Sequence, residues 1–235
     1  MRRRRIDFWY RLGRLMSQIF IPVFGRIEVV GRENVPPFGP LIIAANHQSN
    51  ADPPVLVYAI QRPIWFMAKR SLFANPVLSY LFRSVHVFPV EHDNRDLEAL
   101  RWAQAALAQD RALLVFPEGT RSPGKLSRGT DGLAYLALRS GAPILPVAIT
   151  GTERIPGMFR IAFHFQHLKV VIGQPFSLPS IEGQALEGRA TRPLLRSMTE
   201  QVMERIALLL PHEYQGAYAG GQAVDEARAS GEKAE

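Results

Sequence analysis

The sequence predicts a single α/β domain: a mixed, largely parallel central sheet flanked by helices, with an amphipathic helix at its N-terminus. Three observations predict it. Between residues 25 and 210, short apolar runs alternate with segments of helical period. At two places a polar run directly follows an apolar strand, where open α/β sheets carry their binding groups. A length of 235 residues, 47% hydrophobic and 21% charged, suits one sizeable folded domain.

The first unit spans residues 1–24. Its first fourteen positions hold Arg2, Arg3, Arg4, Arg5, Arg11 and Arg14 against Asp7 alone, five of the chain's seven net positive charges. Interleaved at helical spacing are Ile6, Phe8, Trp9, Tyr10, Leu12, Leu15, Met16, Ile19 and Phe20. This pattern predicts a helix lying on an anionic membrane through residues 1–20. A solvated basic tail leading into a core-packing helix is the other reading. The longest apolar stretch falls well short of the roughly 18–20 residues that span a bilayer, and no small-residue cleavage site follows an apolar core as in a signal peptide. No nucleic-acid-binding motif accompanies the charge, so nucleic acid is not an expected partner.

The main domain, 25–210, opens with strands at 26–30 and 41–45. Residues 52–60 form a helix, with Asp52 placed to cap it and Pro53 suited to its first turn. A buried strand at 64–68 precedes a short helix at 76–82 capped by Asn75, then a strand at 85–90. Leu97, Leu100, Ala103 and Leu107 mark one face of a helix over 96–109. A strand at 112–116, a helix at 131–139 stopped by Gly141, and a strand at 144–149 follow. Residues 161–165 and 169–172 look like a hairpin, and 194–209 a final helix. From Pro211 to the end, 211–235, the chain has little to bury and is expected to be a disordered tail.

The absence of cysteine excludes a disulfide framework, a cysteine-ligated zinc site and a cysteine acyl-enzyme. The first polar run is Asn46-His47-Gln48-Ser49-Asn50-Ala51-Asp52. A histidine can take and return a proton near neutral pH, provided a carboxylate holds the far ring nitrogen. Five residues along a straight helix turn about 500°, leaving two side chains roughly 140° apart. Pairing His47 with Asp52 therefore requires a turn between them, which Gln48-Ser49-Asn50 can form.

The second run is Phe116-Pro117-Glu118-Gly119-Thr120-Arg121-Ser122, followed by Lys125 and Arg128. An arginine beside glycine, threonine and serine donors makes an oxyanion or phosphate cradle. The spacing from Gly119 to Gly124 and Lys125 imitates a nucleotide-binding loop. Leu126 stands where that loop needs a hydroxyl for magnesium, and Pro117 and Pro123 oppose its geometry.

Together the two runs, in this order and about seventy residues apart, resemble motifs of the 1-acylglycerol-3-phosphate acyltransferase family of glycerolipid acyltransferases. The family pattern N-H-x-x-x-x-D matches Asn46, His47 and Asp52, and F-P-E-G-T-R-S matches 116–122 throughout. The similarity extends from about Leu41 to Glu153, including Met67-Ala68-Lys69-Arg70-Ser71-Leu72-Phe73 and Ala142-Pro143-Ile144-Leu145-Pro146-Val147.

The resemblance implies that 25–210 is an acyltransferase domain. It would move a fatty acyl group from a coenzyme A or acyl carrier protein thioester to a hydroxyl of a lysophospholipid, typically lysophosphatidic acid. His47 would deprotonate that hydroxyl and Asp52 orient the ring. Glu118, Gly119 and Arg121 would bind the glycerol phosphate, with Asn46, Lys69, Thr120 and Ser122 completing the substrate-binding set and Pro146 shaping the acyl-donor side. No metal or cofactor is implied, and the expected location is peripheral, on the cytoplasmic face of a membrane.

One stretch departs from the family. His86-Val87-Phe88-Pro89-Val90-Glu91-His92 puts His86 at an expected glycine and His92 at an expected phosphate-binding arginine. Neutral imidazole offers a phosphate fewer donors than guanidinium. Either Arg83 or Arg95 takes that role, or the acceptor is a different alcohol, such as a head-group lysophospholipid or a glycolipid.

Overall fold

A computed structural model describes residues 2–23, 25–90, 97–155, 165–178 and 192–220. Its strands are β1 (Arg26–Val30), β2 (Leu41–Ala45), β3 (Ile64–Lys69), β4 (Val87–Val90), β5 (Ala112–Val115), β6 (Ile144–Thr150) and β7 (His167–Ile172). Its helices are α1 (Arg2–Val23), α2 (Asp52–Ala59), α3 (Pro76–Ser84), α4 (Leu97–Leu107), α5 (Gly132–Ser140) and α6 (Arg192–Ala207). The strands form one sheet in the order β1-β7-β6-β2-β5-β3-β4. Neighbours run parallel except β6 and β7, which are antiparallel. The predicted single α/β domain with a mixed, largely parallel sheet is the fold observed.

β2 lies at the centre, with Ile42 opposite Leu113 of β5 and Ile144 of β6. All five of its residues are fully buried, because helices cover both faces of the sheet. Alternation along the strands divides the core in two. Ile42, Ala44, Leu113 and Ile144 pack with Leu107, Ala137, Val202 and Ile206 beneath α4, α5 and α6. Leu41, Ile43, Ala45, Leu114 and Val147 pack with Val55, Leu56, Ala59 and Ile21 beneath α2 and α1.

Local signals explain the helix ends. Asn75 Oδ1 accepts from the amides of Val77 and Leu78, so the predicted cap of α3 is present, and Pro76 takes the first helical position. Gly141 ends α5 at φ 62°, a left-handed conformation in which a side chain is disfavoured. At the amino edge of the sheet, the buried Arg62 donates to the carbonyls of Pro36, Gly39 and Asp110, tying three loops together. At the opposite edge, the carboxyl ends of β2, β5 and β6, buried carboxylates tie the loops together instead: Glu118 accepts from His47 and Ser127, and Asp52 from the β2–α2 loop and Thr152.

α1 packs on the core along one side and exposes apolar side chains along another. Tyr10, Ser17 and Ile21 are buried. Tyr10 Oη accepts from Ile64 N at 3.1 Å, donates to Arg62 O at 3.4 Å, and so pins the helix to the start of β3. Phe8, Leu15, Met16, Ile19 and Val23 face outward. Among the described residues no helix is long and apolar enough to cross a membrane.

Two expectations change. Residues 211–220 are not a disordered tail: they form a strap with two 3₁₀ turns, His212–Tyr214 and Gly216–Tyr218. Composition hid this, because the strap is held by main-chain hydrogen bonds and by Tyr214 and Tyr218 packing on the core. Residues 221–235 lie outside the described residues. The hairpin expected at 161–165 and 169–172 resolves differently as well. β7 runs antiparallel to β6 and parallel to β1, whereas 156–164 lie outside the described residues and Phe165 is not in a strand.

Candidate active site

The loop from β2 to α2 carries the first polar run at the carboxyl edge of the sheet. His47 Nδ1 lies 2.7 Å from Asp52 Oδ2. The required turn is present, and Asp52 itself folds it: Oδ2 also accepts from Gln48 N at 2.6 Å and Ser49 N at 2.9 Å. This differs from the expected helix cap. Ala51 takes the cap position without a side-chain bond, and the carboxylate of Asp52, the first helical residue, turns back onto the loop.

Asp52 is fully buried. A buried carboxylate is costly unless its lone pairs are engaged. Oδ1 completes the set by accepting from Thr152 Oγ1 at 2.5 Å. Four donors thus hold one carboxylate in one orientation. In a neutral ring whose Nδ1–H donates to Asp52, the basic lone pair resides on Nε2. The Phe116 ring stacks on His47 with centroids 4.0 Å apart and planes 15° off parallel, which covers one face of the imidazole.

The second run joins the first directly. Glu118, 5% exposed, accepts from His47 N through Oε1 at 2.7 Å. Its Oε2 accepts from Ser127 N and Oγ at 2.9 and 2.8 Å. Ser122 N donates to His47 O at 2.8 Å, and Gly124 N donates to Gln48 Oε1. Gly119 turns the chain at φ 69°. Thr120, Arg121, Lys125 and Arg128 remain exposed along this loop, and Ser122 Oγ pairs with Ser127 Oγ.

The other expected site residues divide. Asn46 is fully buried, with Nδ2 donating to Ile149 O and Oδ1 accepting from Ile149 N, so it locks the end of β2 to β6. Lys69 is exposed at the end of β3, on the same sheet edge but two strands from β2. Pro146 is buried in β6 opposite Ala44. Its ring and Leu209 both crowd Gly173, where an added Cβ would lie 3.0 and 3.1 Å away.

His86 occupies the position where the family glycine was expected, and it keeps a glycine-like φ of 66°. Its ring stacks between Tyr10 and Trp65, at 4.9 and 4.2 Å. That sandwich holds a conformation costing a non-glycine residue on the order of 1 kcal/mol. Arg83 sits over the Phe73 ring, while His92 and Arg95 lie outside the described residues.

Thr152, Ser127 and the bridge from Gln48 to Gly124 were not anticipated. Their partners lie 100, 9 and 76 residues away in the chain. No local pattern marks such contacts.

Comparison with known proteins gives the site its context. A 1-acyl-sn-glycerol-3-phosphate acyltransferase of Bacillus subtilis is 27% identical over 192 residues, covering 80% of this chain and 90% of the relative. One from Chlamydomonas reinhardtii is 35% identical over 155 residues, covering 60% of this chain and 46% of the relative, so the chain spans about half the length of that protein. The crystal structure of the 1-acyl-sn-glycerophosphate (LPA) acyltransferase PlsC from Thermotoga maritima aligns with a TM-score of 0.67 at 28% identity, covering 87% of this chain and 80% of that one. A family model described as Acyltransferase matches residues 26–150, more than half of the sequence, and the chain belongs to that family.

Proposed function

We propose that the protein is a 1-acylglycerol-3-phosphate O-acyltransferase working at a membrane surface, with His47 as its general base and Asp52 as the group that orients it. The observation carrying this reading is the buried Asp52 carboxylate on His47 Nδ1 at 2.7 Å, beside a loop that exposes Arg121, Lys125 and Arg128. The names of the relatives support the acceptor.

In this reaction His47 Nε2 takes the proton of the acceptor hydroxyl as its oxygen attacks the thioester carbonyl carbon. The carbon–sulfur bond then breaks, and the leaving sulfur recovers the proton from the imidazolium. An ester and a free thiol result, with no change of oxidation state. Asp52 stabilises the imidazolium between the two transfers. The reaction calls for no metal or prosthetic group; the acyl group comes from acyl-CoA or acyl carrier protein.

Glu118 holds the loop through both its oxygens and would repel a phosphate. Anion binding therefore falls to Arg121 with Lys125 and Arg128, helped by Gly119, Thr120 and Ser122 around the loop. Membrane docking rests on the outward side chains of α1 together with Leu72, Val77, Tyr80 and Leu81 on and before α3, which are 41–73% exposed. Trp9 meets Tyr80 edge-on, so the two helices present adjoining surfaces. The cytoplasmic face is the side on which acyl thioesters are supplied.

The test is product formation by full-length protein from palmitoyl-CoA and 1-oleoylglycerol 3-phosphate, followed by mass spectrometry. His47→Ala should lose at least about 10³-fold in turnover; wild-type turnover by that variant would end the proposal. His92, standing where the family has an arginine, favours a second reading with another acceptor. A panel of lysolipids at fixed palmitoyl-CoA decides between them, and clear preference for the phosphate monoester removes the second reading.

A further inference from the structure

Asp52 has an anchor outside both motifs, and that anchor is held by the strap. Thr152, fully buried, donates to Asp52 Oδ1 from the 3₁₀ turn Thr152–Arg154 that follows β6. Gly151 enters the turn at φ 91°, and its amide donates to Glu153 Oε2 at 2.9 Å. Glu153 therefore folds back onto its own turn. Its other oxygen, Oε1, accepts from Tyr214 Oη at 2.8 Å. Arg154 approaches the same oxygen at 3.6 Å from a largely exposed position.

The strap also grips the second motif loop. Leu126 N donates to Tyr214 O at 2.8 Å, and Ala217 N donates to Leu126 O at 3.1 Å. Leu126 is 1% exposed, at the middle of the loop between Glu118 and Thr130. Gly216, at φ +52°, allows this approach: an added Cβ would lie 2.3 Å from Leu126 O. One residue, Tyr214, thus bonds through its carbonyl to the cationic loop and through its hydroxyl to the turn behind Asp52. Burial, and then the hydrogen bond to Glu153, push the phenol up to about 12, so it is a neutral donor at physiological pH.

We propose that Tyr214 is a positioning residue for acyl transfer, holding Asp52, and through it His47, by the relay Tyr214–Glu153–Thr152. The proposal rests on the reading of His47 as general base. Tyr214 touches no substrate in this scheme. It sets the angle at which the turn delivers the Thr152 hydroxyl, and that hydroxyl fixes the rotation of the carboxylate that His47 faces.

A double-mutant cycle on the full chain tests it, using palmitoyl-CoA and 1-oleoylglycerol 3-phosphate in mixed micelles. Tyr214→Phe, which removes one oxygen, should lower kcat about 5–10-fold with both KM values within about twofold. Thr152→Val should lower kcat more, and Thr152→Ser, which keeps the donor, should restore it to within about twofold of wild type. In the Thr152→Val background, Tyr214→Phe should add less than about twofold, because the relay is already broken. If Thr152→Val does not fold, Glu153→Gln interrupts the same relay and takes its place. Wild-type kcat in Tyr214→Phe would overturn the proposal, as would fully multiplicative effects in the double variant. His47→Ala separates the failures: an active His47→Ala enzyme refutes the base itself, whereas an inactive one beside a fully active Tyr214→Phe refutes only the relay.

Discussion

The main-chain amide of His47 donates to Glu118 Oε1 at 2.7 Å, across 71 residues of chain. The two polar runs are therefore one hydrogen-bonded unit rather than two loops that share a cleft. A carboxylate suits this position because both oxygens accept and neither donates. The other oxygen collects the amide and hydroxyl of Ser127, which closes the loop carrying Arg121 and Lys125.

Glu118→Gln tests that role. Its amide nitrogen must face either His47 N–H or the Ser127 donors, setting donor against donor in a buried place. The cost is about 1–3 kcal/mol, a fall in Tm of roughly 3–10 °C for a domain of this size. Calorimetry should show it, with kcat falling as well. An unchanged Tm would mean that the carboxylate does not hold the loop.

Asn46 is a brace in the structure, and its substitution should behave accordingly. Asn46→Ala leaves the amide and carbonyl of Ile149 unpaired in a fully buried place. Destabilisation of about 2–4 kcal/mol is expected, seen in the denaturant midpoint at constant m. A stable variant with a raised KM for acceptor would instead assign Asn46 to the substrate.

Much of this was legible in the sequence, for identifiable reasons. Alternating apolar runs located β2, β5 and β6, and the Asn75-Pro76 and Gly141 signals located the ends of α3 and α5. The need for a turn between His47 and Asp52 followed from helix geometry alone. What stayed hidden depends on contacts distant in the chain. Thr152 reaches Asp52 only because β6 lies beside β2 in the sheet. The strap at 211–220 looked like a tail because no hydrophobic period marks it: two tyrosines, Tyr214 and Tyr218, pack on the core, and main-chain groups of Leu126 fasten the rest.

Tyr214 also makes stability depend on alkaline pH. Its folded pKa, raised to about 12 from 10.0, means that the folded chain holds this proton more tightly than the unfolded chain. The resulting stabilisation is complete below pH 10 and disappears as pH rises through about 12. Tyr10, raised by burial, acts in the same direction. Urea unfolding from pH 9 to 12 should show declining stability, and Tyr214→Phe should flatten the decline. Identical slopes would show that the phenol does not contribute.

Membrane docking is better tested by point substitution than by removing α1. Tyr10 and Ser17 are buried against the domain and Tyr10 bonds to Arg62 and Ile64, so deleting residues 1–20 would open the core beneath α1 and confuse docking with unfolding. Val77 and Leu81 lie one turn apart on α3, 73% and 41% exposed, where glutamine costs the fold little. Partial insertion of each side chain into lipid is worth about 1 kcal/mol, below the roughly 1.5–3 kcal/mol of full burial. The double variant Val77→Gln, Leu81→Gln should therefore bind vesicles containing phosphatidylglycerol about 10–30-fold more weakly, with Tm within about 2 °C of wild type. Turnover should fall on substrate embedded in those vesicles but hold on a short-chain acceptor below its micellar concentration. Equal cosedimentation of variant and wild type would remove α3 from the docking surface, leaving α1 to carry it.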